Sequence, residues 1–182
     1  MRHTKLFILI VIAMFTLPLW ASGNGEAGPV VSENSNHVQF GENWWVEWRF
    51  VGDEIEFTMA APTTGWVAIG FNPSRMMRDA DFVIAYVKDT MVYARDDYGT
   101  SNTGHGADVS LGGVDNVRII SGKEEGQVTT ITFAVPTNSG DTYDAVFVPG
   151  QTYKILVAHG ADGQDNFTSM HRGRSSANVV LK

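Results

Sequence analysis

Short runs of apolar residues, separated by turn-forming residues, follow one another from residue 44 to the end of the chain and predict strands. In Glu54–Met59 acidic or hydroxyl residues alternate with apolar ones, which is typical of a strand with one solvated and one buried face. Phe82–Val87 is apolar throughout and predicts a central strand covered on both faces. No segment keeps a helical period over the required length, so we expect any helices to be short.

Seven further segments show the same strand character. They are residues 44–50, 66–71, 90–95, 117–121, 127–135, 153–159 and 178–181. Turn signals recur about every eight to twelve residues, which is typical of a sandwich or a barrel. The pattern therefore predicts an all-β fold of about nine to ten strands.

The first 36 residues differ in composition from the rest and predict an export signal and a tether. A basic head precedes an apolar run at 6–19, which is shorter than the ~20 residues of a membrane span. Small residues then favour a cut near Gly23. We predict a signal peptide at 1–23, a flexible tether at 24–36 and a β-sandwich domain at 37–182, with a periplasmic or secreted location. An uncleaved N-terminal anchor is the alternative.

Charge and cysteine content exclude several classes of protein. Removal of the signal peptide leaves 11 basic side chains against 20 acidic ones, so the chain lacks the basic surface that nucleic-acid binding requires. The sequence has no cysteine, which excludes disulfides, thiolate zinc sites, iron–sulfur clusters and covalently attached c-type haem. Any cofactor must be held by histidine, methionine, carboxylates or packing.

The sequence also lacks the common catalytic motifs. No histidines are spaced as H-x-x-H or H-E-x-x-H, and neither a G-x-S-x-G elbow nor a glycine-rich phosphate loop is present. No nucleophile–base pair is evident. We therefore predict an electron-transfer or ligand-binding domain rather than an enzyme.

Two segments combine residue types that could bind a cofactor. Gly65–Asp81 runs from a strand into a charged loop that carries Met76 and Met77, although a methionine there could instead fill a gap in the core. Phe167–Arg174 is a loop before the last strand, with His171 between a methionine and arginines. A hydrogen-bonded structural histidine is the alternative there.

Two other segments carry weaker signals. His105 stands in a glycine-containing loop, where we expect it to be exposed. Asp162–Asn166 contains calcium-type oxygen ligands, but it lacks the distal glutamate of an EF-hand.

The stretch from Trp44 to Leu181 resembles a DOMON domain, the β-sandwich named from the N-terminal region of dopamine β-monooxygenase. The order of four motifs carries this resemblance. They are the Gly65–Phe71 strand, the Asn72-Pro73 loop, the Met77-x-x-Ala80-Asp81 step and the closing His171-Arg172-Gly173 loop. The resemblance covers nearly the whole predicted mature chain and implies an immunoglobulin-like antiparallel β-sandwich.

The haem-binding branch of the family, as in the cytochrome domain of cellobiose dehydrogenase, holds a b-type haem by one methionine and one histidine. Carried over to this sequence, the resemblance implies Met77 and His171 as the axial ligands of the haem iron. Met76, Met170 and His159 are the alternatives.

The resemblance also suggests how the rest of a haem would be held. Trp66 and Phe71, together with Trp45 and Phe82, are the expected apolar lining. Arg172 and Arg174 are expected to pair with the haem propionates, the alternative being that they only make the loop soluble.

The resemblance implies an exported b-type cytochrome that binds haem b and passes single electrons to a redox partner protein, such as a membrane or periplasmic oxidoreductase. One alternative is a non-enzymatic DOMON module that binds a sugar or other small ligand without haem. Another is an accessory subunit that holds haem only within a larger oxidoreductase.

Overall fold

The computed structural model describes residues 28–31 and 35–182. The predicted signal peptide, 1–23, lies outside the described residues. The described residues form twelve strands and one four-residue helix. The strands are β1 (Val30–Val31), β2 (His37–Gly41), β3 (Trp44–Val51), β4 (Glu54–Ala61), β5 (Val67–Phe71), β6 (Asp81–Lys88), β7 (Met91–Tyr98), β8 (Gly106–Ala107), β9 (Arg118–Glu125), β10 (Val128–Pro136), β11 (Thr152–His159) and β12 (Gly173–Val180), and helix α1 is Asp108–Leu111.

The strands form two six-stranded antiparallel sheets that pack as a sandwich, so the predicted antiparallel β-sandwich is confirmed. The first sheet has the order β1-β2-β3-β4-β10-β9, and the second has the order β12-β11-β5-β6-β7-β8. The predicted nine strands are all present. The three additional strands, β1, β2 and β8, are five residues long or shorter, which left too little pattern for prediction.

The main core lies between the two sheets. In β4 the residues that alternate with acidic and hydroxyl positions, Ile55, Phe57 and Met59, are buried, as their spacing predicts. The ring of Phe57 lies 5.0 Å from that of Phe71 and 5.7 Å from that of Phe133, measured between centroids. Burying one such side chain contributes roughly 2–3 kcal/mol, so this aromatic cluster stabilises the contact between the sheets.

Strand β6 is a central strand of the second sheet with both faces covered, as predicted. Val83 and Ala85 point into the main core, whereas Phe82 and Ile84 belong to a separate apolar cluster on the opposite face. The second sheet therefore has two apolar faces.

Two boundaries differ from the predictions. Val30–Val31, within the predicted tether, pairs with β2, so this part of residues 24–36 is an edge strand rather than a tether. Strand β12 begins at Gly173 instead of Asn178. The prediction placed its start too late because the first residues of the strand point polar side chains outward and show no apolar run. Among the described residues no helix is long and apolar enough to cross a membrane.

Candidate functional site

The face of the second sheet that points away from the main core carries an apolar cluster; we refer to it as the outer face. The side chains of β5, β6 and β11 that alternate away from the core form its centre. The cluster consists of Trp66, Ala68, Ala80, Phe82 and Ile84, with Met77, Tyr86, Leu156, Ala158 and Phe167 packed against them.

One row of residues crosses the outer face from edge to edge. The strand register places Arg174, Ala158, Ala68, Ile84 and Arg95 side by side on five successive strands. The middle of this row is apolar, with two small alanines, and each end is an arginine. The centre of the outer face is therefore apolar and covered, with Ala68 7% and Ile84 5% exposed, and a guanidinium stands at each end of the row.

Met77 is fixed at the rim of the outer face by a tight turn and by a neighbouring loop. The turn is closed by the bond from N–H of Arg78 to the carbonyl of Arg75, 3.0 Å. N–H of Met77 donates to the carbonyl of Asn102, 3.3 Å, and the Met77 carbonyl accepts from N–H of Ala80, 3.2 Å. A β-carbon at Gly99 would overlap that carbonyl, so glycine is needed there for the approach of the two segments.

The two adjacent methionines have different surroundings. Met77 packs against the apolar cluster of the outer face. Met76 adopts a left-handed backbone conformation, with φ of 55°, and its side chain is 49% exposed. The structure therefore brings Met77, and not Met76, to the outer face.

His171 lies in the loop that joins β11 to β12. The loop is tied to the sheet because Nε1 of Trp66 donates a hydrogen bond to Oγ of Ser169, 2.8 Å, and N–H of Arg172 donates to the carbonyl of His159, 2.8 Å. His171 is half-buried, and among the described residues its ring has no hydrogen-bond or aromatic partner. Both ring nitrogens are thus free to bind a ligand.

Three predicted residues lie away from the outer face. Phe71 is fully buried in the main core, because it has the opposite strand parity from Ala68 and Gly70. His159 also points inward, where its ring meets that of Trp44 edge-on, with centroids 5.0 Å apart. Trp45 lies on the first sheet and stacks on His37.

The predicted arginines and the remaining methionine are solvent-exposed. Arg174 belongs to β12 and stands next to Ala158 of the outer face, whereas Arg172 precedes the strand. Met170 is 83% exposed. Of the predicted lining residues, Trp66 and Phe82 belong to the outer face and Phe71 and Trp45 do not.

A buried polar group on the outer face was missed by the sequence analysis. Asp97 is fully buried, and its carboxylate accepts hydrogen bonds from Nη2 of Arg95, 2.7 Å, and from Nδ1 of His105. Arg95 also lies over the ring of Phe167, 4.6 Å from its centroid. The prediction that His105 is exposed is therefore wrong, because the residue is half-buried and paired with Asp97. The alternation of Tyr93, Arg95 and Asp97 was the available signal, but the predicted strand ended at Arg95 and so left Asp97 out.

Buried carboxyls with raised pKa values lie near the inner side of β7, on β7 itself, on β6 and on α1. Burial, followed by the charge of Asp81, raises the pKa of Asp96 to about 9. Burial, followed by the charges of neighbouring aspartates, raises the pKa of Asp81 to about 8 and that of Asp108 to about 7. These groups lie at the end of the sandwich, apart from the residues of the outer face.

Comparison with known proteins assigns the family. The model of the DOMON domain matches residues 41–160, which is more than half of the chain. The chain belongs to the DOMON domain family. The match includes Met77 and the core of the outer face, and it ends before the loop that carries His171.

Two solved structures share the DOMON fold with this protein. The cytochrome b domain of pyranose dehydrogenase from Coprinopsis cinerea has a TM-score of 0.58 and 12% sequence identity, and the match covers 84% of this chain and 80% of that chain. The cytochrome domain of cellobiose dehydrogenase from Myriococcum thermophilum has a TM-score of 0.56 and 10% identity, covering 76% and 75% of the two chains.

One sequence relative is also similar to this DOMON protein. The human DBH-like monooxygenase protein 1 is 32% identical over 59 residues, which is 32% of this chain. The match spans only 10% of that relative's length.

Proposed function

We propose that this protein is a b-type cytochrome that binds one haem without a covalent bond, through Met77 and His171, and passes single electrons to a partner protein. The observation that carries the proposal is the placement of Met77. Its side chain packs on the apolar outer face, while the adjacent Met76 is turned to solvent.

The donor atoms fit a haem iron. In the absence of cysteine, a neutral thioether and a neutral imidazole are the available strong ligands, and methionine–histidine ligation is an established arrangement in cytochromes. The ring nitrogens of His171 have no partner among the described residues, so binding a metal there would break no hydrogen bond. The bound haem would supply one-electron iron chemistry, with the thioether favouring the reduced state.

The outer face offers apolar side chains to the macrocycle of such a group. Trp66, Phe82 and Ile84 lie there beside the small Ala68 and Ala158. The first three are only 5–7% exposed, so a haem would bind there by displacing side chains that cover them, such as Phe167. Contact with this surface would keep water from the iron and raise its reduction potential. Phe71, which lies in the main core, takes no part in this proposal.

The charged edge of a haem would meet arginine. Arg174 stands at one end of the row across the outer face, and Arg172 lies two residues before it; both are exposed. Their guanidinium groups can pair with propionate carboxylates. Arg95 at the other end is already bound to Asp97, which also binds His105, and its guanidinium packs on the ring of Phe167.

The partner is expected to be an oxidoreductase with a basic surface. Acidic residues outnumber basic ones, 20 to 13, in the full chain. A negative protein is steered toward a positive partner, and the association rate falls as salt screens the charges. Export by the predicted signal peptide would place this reaction in the periplasm or outside the cell.

Absorption spectra of the purified chain, expressed with haem available, test the proposal. We expect reduced-minus-oxidised spectra with sharp α and β bands, and we expect Met77→Ala and His171→Ala to abolish them. Met76→Ala is the matched control, because it removes the same thioether from the exposed neighbour, and it should keep the bands. His105→Ala controls for the loss of an imidazole near the same face.

One result would contradict the ligand assignment and another the proposed function. If Met76→Ala or His105→Ala removes the bands while Met77→Ala or His171→Ala spares them, the named ligands are wrong. If the chain binds no haem but retains an oligosaccharide in calorimetric titration, the haem-free sugar-binding module is the better function.

A further inference from the structure

Three aspartates from separate segments converge at one end of the sandwich, on the inner side of β7. Asp96 comes from β7, Asp108 from the first residue of α1, and Asp144 from the connection between β10 and β11. Each contributes a carboxylate oxygen, and these oxygens all lie within 4.8 Å of one another. We refer to these residues as the aspartate cluster.

The carboxylate of Asp108 is buried without a partner. The residue is 1% exposed, and neither of its side-chain oxygens has a hydrogen-bond partner. One oxygen of Asp144 is likewise buried and unpartnered. A buried carboxylate without a donor is costly, so this place favours either a proton held between Asp108 and Asp144 or a compensating cation.

The neighbouring protein groups do not supply that charge. Asn116 gives the cluster two neutral donors, its N–H to Asp96 at 3.0 Å and its Nδ2 to Asp144 at 2.8 Å. N–H of Ala145 donates to the nearby Asp81 at 2.9 Å. Among the described residues, no ion pair involves any carboxylate of the aspartate cluster.

We infer that the aspartate cluster binds a divalent cation, specifically Ca²⁺, through the carboxylates of Asp96, Asp108 and Asp144. The candidate ligands are oxygen atoms only, which suits hard cations and disfavours zinc or copper. Ca²⁺ accepts irregular arrangements of six to eight oxygens, whereas Mg²⁺ demands a near-ideal octahedron. Carboxylates fixed on three separate segments are more easily adapted to the larger ion.

One member of the cluster reaches a cleft. The cleft has a volume of about 130 Å³ and is lined by Asp144, Asp81, Tyr98 and Tyr143, while Asp96 and Asp108 are buried behind it. An ion could enter through this cleft, and water in it could complete the coordination.

The site would fasten two long connections to the sheet. Asp108 belongs to the connection between β7 and β9, and Asp144 to the connection between β10 and β11, while Asp96 is held in the ladder with β6. A chain without cysteine has no disulfide to cross-link such connections. A cation bound by all three segments would hold the folded form and thus stabilise it.

Calcium titration of the purified full chain tests the inference. The protein is treated with EGTA, the chelator is removed, and CaCl₂ alone is added in an isothermal titration calorimeter and, separately, in thermal melts. We expect one Ca²⁺ per chain and a melting temperature raised by about 5–10 °C at calcium 100-fold above Kd. MgCl₂ should bind at least about tenfold more weakly.

Asp108→Asn distinguishes a cation site from a merely structural carboxyl. It should weaken calcium binding at least about tenfold, and in EGTA it should melt at or above the wild-type temperature because a buried charge is removed. Asp115→Asn is the matched control, since Asp115 is an exposed aspartate that accepts a bond from N–H of Val117, and it should bind calcium like the wild type.

Three results of the calcium titrations would overturn the inference, and one result of the thermal melts would do the same. The three are the absence of calcium binding by the wild type, equal affinities for Ca²⁺ and Mg²⁺, and equal weakening by Asp108→Asn and Asp115→Asn. A variant Asp108→Asn that melts below wild type in EGTA, with an unchanged calcium response, would likewise show that Asp108 serves only the fold.

Discussion

Asp96 and Asp97 are neighbours in β7, and their carboxylates lie on opposite faces of the second sheet. In the ladder with β6, Asp97 is opposite Phe82 of the outer face, whereas Asp96 is opposite Val83 of the main core. Strand alternation separates the two acids, so one is paired with Arg95 and the other joins the aspartate cluster. A single strand thus supports both proposed sites.

Asp97→Asn should destabilise the protein by about 2–3 kcal/mol. The substitution removes the charge that Arg95 and His105 share, and it leaves the guanidinium of Arg95, 26% exposed, without its carboxylate. Urea unfolding followed by tryptophan fluorescence measures the difference. The exposed aspartate Asp53 provides the control, and Asp53→Asn should change stability by less than about 0.5 kcal/mol. Equal midpoints for the two variants would contradict the prediction.

Gly99→Ala should displace Met77 while keeping every side chain that is proposed to contact the haem. The new methyl group would overlap the Met77 carbonyl, so the turn that carries the thioether must shift. We expect a loss of about 1–3 kcal/mol in stability and weaker or altered haem bands. Gly106→Ala is the matched control in the same segment, since the nearest atom to its methyl group would be 4.0 Å away. Unchanged bands in Gly99→Ala would show that the position of Met77 does not govern the spectrum.

The two apolar clusters should respond differently to truncation. Phe57→Ala in the main core should cost about 3–5 kcal/mol, because its ring is fully buried among other aromatic rings. Phe167→Ala should cost about 1 kcal/mol, since this ring is only half-buried, against Tyr86 and the guanidinium of Arg95. Chemical denaturation measures the loss in the free energy of unfolding for each variant. Equal losses would mean that the outer face contributes to folding as much as the main core.

In EGTA, stability should fall as pH rises from about 5 to about 9. Folding raises the pKa of Asp108 to about 7, that of Asp81 to about 8 and that of Asp96 to about 9, against about 3.9 in an unfolded chain. The folded state therefore holds protons that the unfolded state has released, and the free energy of unfolding decreases through this range.

Thermal melts at successive pH values measure this decrease. Asp96→Asn removes one of the titrating groups and should flatten the curve, while Asp53→Asn should leave its slope unchanged. A wild-type melting temperature that rises between pH 5 and pH 9 in EGTA would contradict the prediction.

The all-β fold was predictable because the order of apolar and polar residues within each short segment shows which faces of the strand are buried. The alternation in Glu54–Met59 and the apolar run in Phe82–Val87 each reflect which faces are covered, and both strands are present in the predicted environment. The start of β12 was not predictable in the same way, since Arg174 and Ser176 point outward and give no apolar signal.

The sequence predicted that Met77 lies in the loop after a strand, but it did not predict which side chains surround Met77. Only the sheet register shows that Phe71 faces the main core while Ala68 and Ile84 lie on the outer face, because a shift of one residue reverses the side of every side chain. Likewise, the pairing of Asp97 with His105 depends on how the loop after β7 folds back.

The aspartate cluster is the clearest case of a feature decided by tertiary structure. Asp96, Asp108 and Asp144 lie 12 to 48 residues apart in the chain and show no common motif. Local pattern determines the strands, since alternation and turns act over a few residues. The packing of long connections against a sheet edge determines which carboxylates meet, and that depends on contacts between segments that no local pattern encodes.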